Sequence, residues 1–313
     1  MSAPDRPLRS ILVGLLGQGV KPSLSPELHE REAARQGLRY VYKVVDLDDQ
    51  RIAPDHLGDL LRFAVELGFD GMNVTHPVKQ AMVPLVDHVT PSVAAIGALN
   101  TVLVRDGVTE GHNTDVTGFR TSFHAGLPDA DLREVVLLGA GGAGTAVAHA
   151  LVDLGTERLR VVDPDRGRGE RLRESLSALD AAVEVTPVDV GDLAVVVEKA
   201  SGLVNATPVG MAAHPGMPVP VDVLHPDLWV ADIVYRPLRT ALLRTAEARG
   251  CRTASGAGMA VHQAAHSFEL ISGRSADREA MFRDFDELVA AEVDDGTGDP
   301  APQARDNSSE RKQ

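Results

Sequence analysis

One cysteine, Cys251, stands in 313 residues. That excludes an intrachain disulfide framework and a cysteine-based zinc site. Positive charge is also short, with 31 Lys and Arg against 45 Asp and Glu and a net charge of −14. Such a balance argues against a nucleic-acid or anionic-membrane surface, so an anionic ligand needs a local pocket of donors. No apolar run reaches the roughly 18 residues that span a bilayer. Met1 to Ser10 is polar and lacks the apolar core of a secretion signal. The expectation is a cytoplasmic protein that binds a small molecule, with no nucleic-acid or membrane partner, as a monomer or homodimer. A hydrophobic fraction of 43% is ample for a sizeable core, and the length favours two domains.

What the chain does have is a glycine-rich turn between two strands. Val135-Val136-Leu137-Leu138 is a short continuous apolar run, as in a strand buried on both faces of a parallel sheet. Gly139-Ala140-Gly141-Gly142-Ala143-Gly144 follows, then Ala146, Val147, Ala150, Leu151 and Leu154 at helical spacing, with Gly155 as the stop. Arg158 to Val162 reads as the next strand, with Asp163 at its tip. This is the strand–turn–helix–strand unit of a dinucleotide-binding fold. Gly139 allows the tight turn, Gly141 lets the backbone approach a pyrophosphate, and Gly144 lets the helix lie close on the strand. The helix N-terminus offers free N–H groups to the phosphates, and Asp163 fits a ribose ligand.

Strands alternate with helices on both sides of this unit, which predicts an α/β fold with a doubly wound parallel sheet and a second α/β domain. Ahead of it the pattern gives strands at Ile11–Leu16, Tyr40–Val45 and Gly71–Val74. Helices are expected from Ser25 to about Gln36, from Asp55 to Leu67, and from Lys79 to about His88. In the second helix Leu57, Leu60, Leu61, Ala64 and Leu67 share one face. Thr101–Val104 and Thr109–His112 flank the hairpin signal Asp106-Gly107. A helix is expected from 115 to about His124. Behind the unit come helices near Glu170–Leu179, Leu193–Lys199 and Leu238–Arg249, and strands near Val183, Gly202–Asn205, Trp229–Val234 and Cys251–Thr253. Two helices, Met259–Ile271 and Arg278–Ala291, close the ordered chain. The polar, Gly- and Pro-rich stretch 294–313 reads as a disordered tail. The boundaries expected are 1–114, 115–255 and 256–293, with the cleft between domains as the site.

Several residues at strand-to-helix transitions could carry chemistry. Lys79 and Asp115 could pass a proton to or from an alcohol oxygen, or be a surface lysine and a helix cap. Ser23 and Ser25 alternate with Leu24, so in an extended segment both hydroxyls could face one carboxylate. Equally, Ser25 could cap a helix that starts at Pro26. His262 and His266 form an H-x-x-x-H pair, but Gln263 stands where a zinc protease needs Glu, and no metal is expected. Met211 and Met259 read as packing residues.

Together these pieces resemble the shikimate dehydrogenase family, including its quinate/shikimate branch. The matching stretches are Ser23-Leu24-Ser25-Pro26, Asn73-Val74-Thr75-His76-Pro77-Val78-Lys79, Gly97-Ala98-Leu99-Asn100-Thr101, Asn113-Thr114-Asp115-Val116-Thr117-Gly118, Gly139 to Gly144, Asn205 to Met211, Tyr235-Arg236-Pro237, and Gly256-Ala257-Gly258-Met259 with Gln263. They stand in the family's order. The resemblance implies a Rossmann-type nucleotide domain inserted into a substrate-binding domain. It also implies reversible hydride transfer between shikimate or quinate and a nicotinamide cofactor, in aromatic amino-acid biosynthesis or quinate/shikimate catabolism.

Lys79 and Asp115 resemble the family's catalytic pair. The resemblance puts the substrate carboxylate at Ser23 and Ser25, and ring hydroxyls at Thr75, Asn100, Lys79, Asp115 and Gln263. Gly139, Ala140, Gly141, Gly142, Ala143 and Gly144 would carry the pyrophosphate. Met211, Tyr235 and Gly256 would lie near the nicotinamide, Tyr235 also serving the substrate, and Thr207, Asp163 and Arg168 complete the cofactor set. An aminoshikimate-type dehydrogenase or an inactive nucleotide-binding regulator would share this fold. His76 and Glu30 depart from the biosynthetic pattern. So does Asp163-Pro164-Asp165-Arg166, where NADP-using members carry an Asn-Arg-Thr-like stretch. NAD is therefore the expected cofactor, with NADP possible.

Overall fold

The computed structural model describes residues 10–49, 56–179 and 182–294. In chain order the first lobe contains β1 (Ile11–Gly17), α1 (Ser25–Arg35), β2 (Tyr40–Asp46), α2 (Leu57–Glu66), β3 (Gly71–Val74), β4 (His88–Val89), α3 (Pro91–Ile96), β5 (Thr101–Arg105) and β6 (Val108–His112). Its mixed sheet runs β2-β1-β3-β5-β6-β4. β1 is parallel to both β2 and β3, while β5 is antiparallel to β3 and β6. The β5–β6 hairpin turns on Asp106 and Gly107, at φ 52° and 81°. Two positive φ values match the right-handed twist of the strands, and Asp-Gly is suited to supply them.

The second lobe contains β7 (Glu134–Leu138), α5 (Gly142–Asp153), β8 (Arg158–Val162), α6 (Arg166–Ser177), β9 (Glu184–Val188), α7 (Leu193–Val197), β10 (Gly202–Asn205), β11 (Trp229–Asp232), α8 (Ala241–Ala248) and β12 (Arg252–Ala254). Its sheet runs β12-β11-β10-β7-β8-β9. Every pairing in it is parallel. The strand order reverses between β7 and β10, which opens a crevice beyond their carboxyl ends. The strands are apolar because both faces are covered. Val135, Leu137, Leu151 and Leu159 pack on one side, and Val136, Leu203, Val230 and Leu242 on the other.

Three helices join the lobes. α4 (Asp115–Gly126) leads into the second lobe; α9 (Gly256–Ser272) and α10 (Arg278–Asp294) follow it. α4 lies so close on α9 that a Cβ at Gly118 would sit 3.1 Å from the Met259 carbonyl oxygen. One core runs through the junction, combining Ile96 and Ala98 with Phe119, Phe123, Met259 and the β7–α5 residues. The last two helices pack back on α1, where Leu24 and Leu28 meet Val261, Ala265, Met281 and Phe285. Arg35 clamps this seam, with Nη2 2.8 Å from both Glu32 Oε2 and Asp284 Oδ2.

Several expectations are corrected. The helix expected after Lys79 is absent; turns lead to a single 3₁₀ turn at Val83–Leu85. Pro84 lacks the N–H that a continuing helix needs. Helix α3 was not foreseen, and it starts where the Thr90 hydroxyl accepts from the Val93 amide at 3.4 Å. Leu67 is 72% exposed, so it does not share the buried face of Leu57, Leu61 and Ala64. α6 begins at Arg166 rather than near Glu170, because Asp165 caps it by accepting from the Gly167 amide at 2.9 Å. α8 begins late, at Ala241, behind the Thr240 cap. Ser25 does not cap α1; it is the first helical residue, behind Leu24. Asp55 and the tail 295–313 lie outside the described residues. Among the described residues no helix is long and apolar enough to cross a membrane.

Candidate active site

Lys79 lies in the turn that follows β3, and Asp115 opens α4. The lysine Nζ lies 2.6 Å from Asp115 Oδ2, with the two side chains 15% and 3% exposed. The backbone fixes both ends: the Leu99 amide donates to the Lys79 carbonyl at 3.1 Å, and the Asp115 amide donates to Asn113 Oδ1 at 3.0 Å. Asn100 Nδ2 donates to the other carboxylate oxygen, Asp115 Oδ1, at 3.0 Å, and lies 3.4 Å from Gln263 Oε1 on α9. Lys79 and Asn100 thus meet on one nearly dry carboxylate, with Gln263 next to Asn100. A short charge-assisted bond holds the ammonium in one place, where the amine can exchange a proton with an alcohol. Thr75 leaves the end of β3 one turn before, half-buried, its amide bonded to the Leu16 carbonyl at 2.9 Å.

The nucleotide turn stands beside this pair. A Cβ at Gly142 would lie 3.9 Å from Lys79 Cδ. The three motif glycines have separate reasons. Gly139 has φ 89°; a Cβ at Gly144 would stand 2.0 Å from the Gly139 carbonyl oxygen; a Cβ at Gly141 would meet nothing within 4 Å. The first two seat the helix on the strand, and the third leaves the backbone open to a phosphate, so these residues fit a dinucleotide. Ala140 and Ala143 complete the turn into α5. Thr207 leans on it from the loop after β10, its methyl 3.1 Å from where a Gly139 Cβ would be. Asp163 is at the tip of β8, with Oδ2 accepting from the Ala140 amide and Oδ1 from the Asp165 amide, both at 2.8 Å. Its carboxylate therefore braces the turn. Arg166 pairs with Asp189 at 2.7 Å, and Arg168 lies 3.5 Å from Asp165.

The two serines flank buried Leu24 and are both half-buried. They are not in an extended segment, because Leu24 has helical φ and ψ, and the Ser25 amide reaches Ser23 Oγ at 3.3 Å. Arg236, after β11, donates to the Pro22 carbonyl beside them, so the loop carrying Tyr235 meets the serine loop. Tyr235 itself packs 6.4 Å from the Phe285 ring. Gly256 begins α9, where a Cβ would be 2.3 Å from the Ile233 carbonyl oxygen. Met259 is buried as packing, but Met211 is 42% exposed and does not pack. His266 Nδ1 is 2.8 Å from Thr117 Oγ1, and His262 packs edge-on to Phe282. Among the described residues no group of three side chains is placed to hold a metal ion.

Sequence reasoning missed a second polar node. Asp232 is buried, which raises its carboxyl above the usual range, and it accepts from Thr240 Oγ1 at 2.7 Å and Asn205 Nδ2 at 2.9 Å. It ties the loops after β10 and β11 together. The signal available was a polar residue closing each of two neighbouring apolar strands, paired Asn205 to Asp232 in register.

A shikimate dehydrogenase (NADP(+)) of Streptomyces avermitilis is 53% identical over 280 residues, covering 90% of this chain and 96% of the relative. The chain belongs to the shikimate dehydrogenase family. Residues 15–102 match the shikimate dehydrogenase substrate binding domain, and residues 256–281 match the shikimate 5'-dehydrogenase C-terminal domain. A quinate/shikimate dehydrogenase (NAD(+)) of Corynebacterium efficiens is 45% identical over 273 residues, covering 87% of this chain and 96% of the relative. Quinate dehydrogenase from Corynebacterium glutamicum, solved in complex with NAD, is 44% identical with a TM-score of 0.84, over 89% of this chain and 99% of that one.

Proposed function

We propose that the protein is a reversible shikimate or quinate/shikimate dehydrogenase. The observation that carries the reading is the Lys79–Asp115 pair, 2.6 Å apart and beside Gly142 of the nucleotide turn. A bound nicotinamide dinucleotide supplies the hydride acceptor. In the direction of ketone reduction the Lys79 ammonium gives its proton to the carbonyl oxygen as that carbon takes the hydride; in reverse the amine so left takes the hydroxyl proton back, and Asp115 holds it in position. Asn100 and Gln263 hold neighbouring ring hydroxyls, with Thr75 at the strand end. The Ser23 and Ser25 hydroxyls donate to the substrate carboxylate, and Tyr235 borders them. The lobe boundaries near 114 and 255 follow from the same reading, with α9 and α10 serving the substrate lobe.

We read the cofactor as NAD in preference to NADP. Asp163 places a carboxylate where a 2′-phosphate would come, and like charges repel there. Arg166 and Arg168 each stand beside a carboxylate, Asp189 and Asp165, which offsets part of their pull on a phosphate. Relatives of both cofactor names occur at 45% identity and above, so this finer point rests on these residues. Thr207, Met211 and Gly256 border the nicotinamide end in this reading. The test is the absorbance of reduced nicotinamide with purified protein, each of shikimate and quinate, and each cofactor. No turnover in all four combinations refutes the activity; turnover only with NADP refutes the cofactor preference.

A further inference from the structure

Behind the Lys79–Asp115 pair runs a line of buried hydrogen bonds with a single direction. Two of its groups are unambiguous. The Thr114 backbone amide can only donate, and it meets Asn100 Oδ1 at 2.8 Å. The Asp115 carboxylate accepts, and it meets Asn100 Nδ2 at 3.0 Å. The Asn100 amide is therefore fixed with its oxygen toward Thr114 and its nitrogen toward Asp115. Thr101 Oγ1 lies 3.2 Å from the same Asn100 Oδ1, so its hydroxyl must donate there. Its lone pairs then accept from Asn73 Nδ2 at 3.1 Å, and the other Asn73 N–H reaches Ser267 Oγ at 2.6 Å. Asn73 Oδ1 is left to accept from the Tyr42 hydroxyl at 2.7 Å. Thr101 is fully buried, and Asn100 and Tyr42 are 6% and 7% exposed, so water cannot substitute for a missing partner.

We propose that Asn73 and Thr101 are positioning residues that reinforce the orientation of Asn100 set by the Thr114 amide, and through it the seat of the Asp115 carboxylate. With Asn100 Nδ2 on Oδ1, the Lys79 amine takes Oδ2 at 2.6 Å. The two donors thereby divide the carboxylate between them. Thr114 Oγ1 accepts from the same Nδ2 at 2.9 Å, with Gln263 Oε1 further off at 3.4 Å. If Asn100 turns over, Asp115 faces an amide oxygen, and the lysine loses its fixed seat. This inference rests on the proposed role of the pair.

Asn73→Asp tests the direction with little change of shape. A carboxylate can accept from the hydroxyls of Tyr42, Thr101 and Ser267 but cannot donate, so the Thr101 proton turns away from Asn100. Thr101→Val removes the same proton without adding charge, and Thr101→Ser restores it. In both Asn73→Asp and Thr101→Val, kcat should fall about 10- to 100-fold, as for a misplaced catalytic group. KM for the dinucleotide should stay within about twofold, since the nucleotide turn is untouched. Thr101→Ser should recover most of the loss. A parent-like kcat in Asn73→Asp overturns the proposal. So does a Thr101→Ser variant as slow as Thr101→Val, or a loss that follows melting temperature in all three. Turnover by the parent enzyme tests the functional reading; the ratio of variant to parent tests this one. In ¹⁵N-labelled protein without substrate, the Asn100 side-chain amide should exchange slowly in the parent and rapidly in Asn73→Asp; equal exchange also overturns the proposal.

Discussion

Replacing Lys79 by methionine keeps most of the stem and removes the nitrogen that lies 2.6 Å from Asp115 Oδ2. Two consequences separate. The first is chemical: losing a general acid–base group lowers rate by about 10²–10⁴, or about 2.7–5.4 kcal/mol of barrier. The second is structural: Asp115 is left as an uncompensated carboxylate at 3% side-chain exposure. Removing one partner of a buried pair costs about 3–5 kcal/mol, and the surviving bond from Asn100 puts this case at the lower end. Lys79→Met should therefore melt several degrees lower as well as turn over slowly. Adding Asp115→Asn removes the stranded charge. The double variant should regain much of the melting temperature while its kcat stays as low as that of the single. Steady-state turnover and calorimetry on the parent and both variants give the comparison. Turnover within tenfold of the parent in Lys79→Met refutes the reasoning, as does recovery of kcat in the double variant.

Ser23→Ala with Ser25→Ala should act on KM for the acid substrate, at about 1.5–3 kcal/mol for each hydrogen bond to charge; the melting temperature should hardly move, since neither serine caps α1. A lower melting point with unchanged KM would contradict this. Asp163→Asn should raise kcat/KM for NADP relative to NAD several-fold, because removing one charge near a phosphate is worth about 1 kcal/mol in a half-exposed site; an unmoved ratio speaks against the cofactor reading. His29 is fully buried, and burial lowers its pKa to about 3. The unfolded chain binds that proton below about pH 6.5 and the folded one does not, so stability is full above that value and declines as pH falls toward 3, by up to about 1.4 kcal/mol per unit. Thermal melts from pH 7.5 to 5 should show a shallower decline in His29→Gln, and parallel curves would refute the assignment.

The nucleotide lobe was almost fully legible in the sequence. Its strands are buried on both faces, so they read as unbroken apolar runs, and the glycines mark backbone positions that tolerate no side chain. Lys79 and Asp115 were named as candidates, but their contact was not visible, because it depends on where β3, β5 and α4 meet. The segment after Lys79 misled because Pro84 removes an N–H that a helix running through it would need. Leu67 misled because periodicity places a residue on a face without saying where the helix leaves its partner. Caps were misjudged by one residue at α1 and by several at α6, where a single aspartate bond decides the start. Thr101, Asn73 and Asp232 drew no separate notice, since polar residues inside strands carry no periodic signal, and their partners are remote in sequence.

The junction of α4 and α9 has a consequence for how the molecule closes. Asn73 bonds Ser267 across 194 residues, and Arg35 reaches Asp284 across 249. Closing loops of that length early would cost the most chain entropy. But the whole second lobe leaves and returns at Gly118 and Met259, which touch. Once that lobe is folded, it acts as a splice: the path from Asn73 to Ser267 shrinks to roughly 50 residues, and the closure cost falls by about 1 kcal/mol. The inserted lobe thus shortens, for the lobe that surrounds it, the distance between its own two halves.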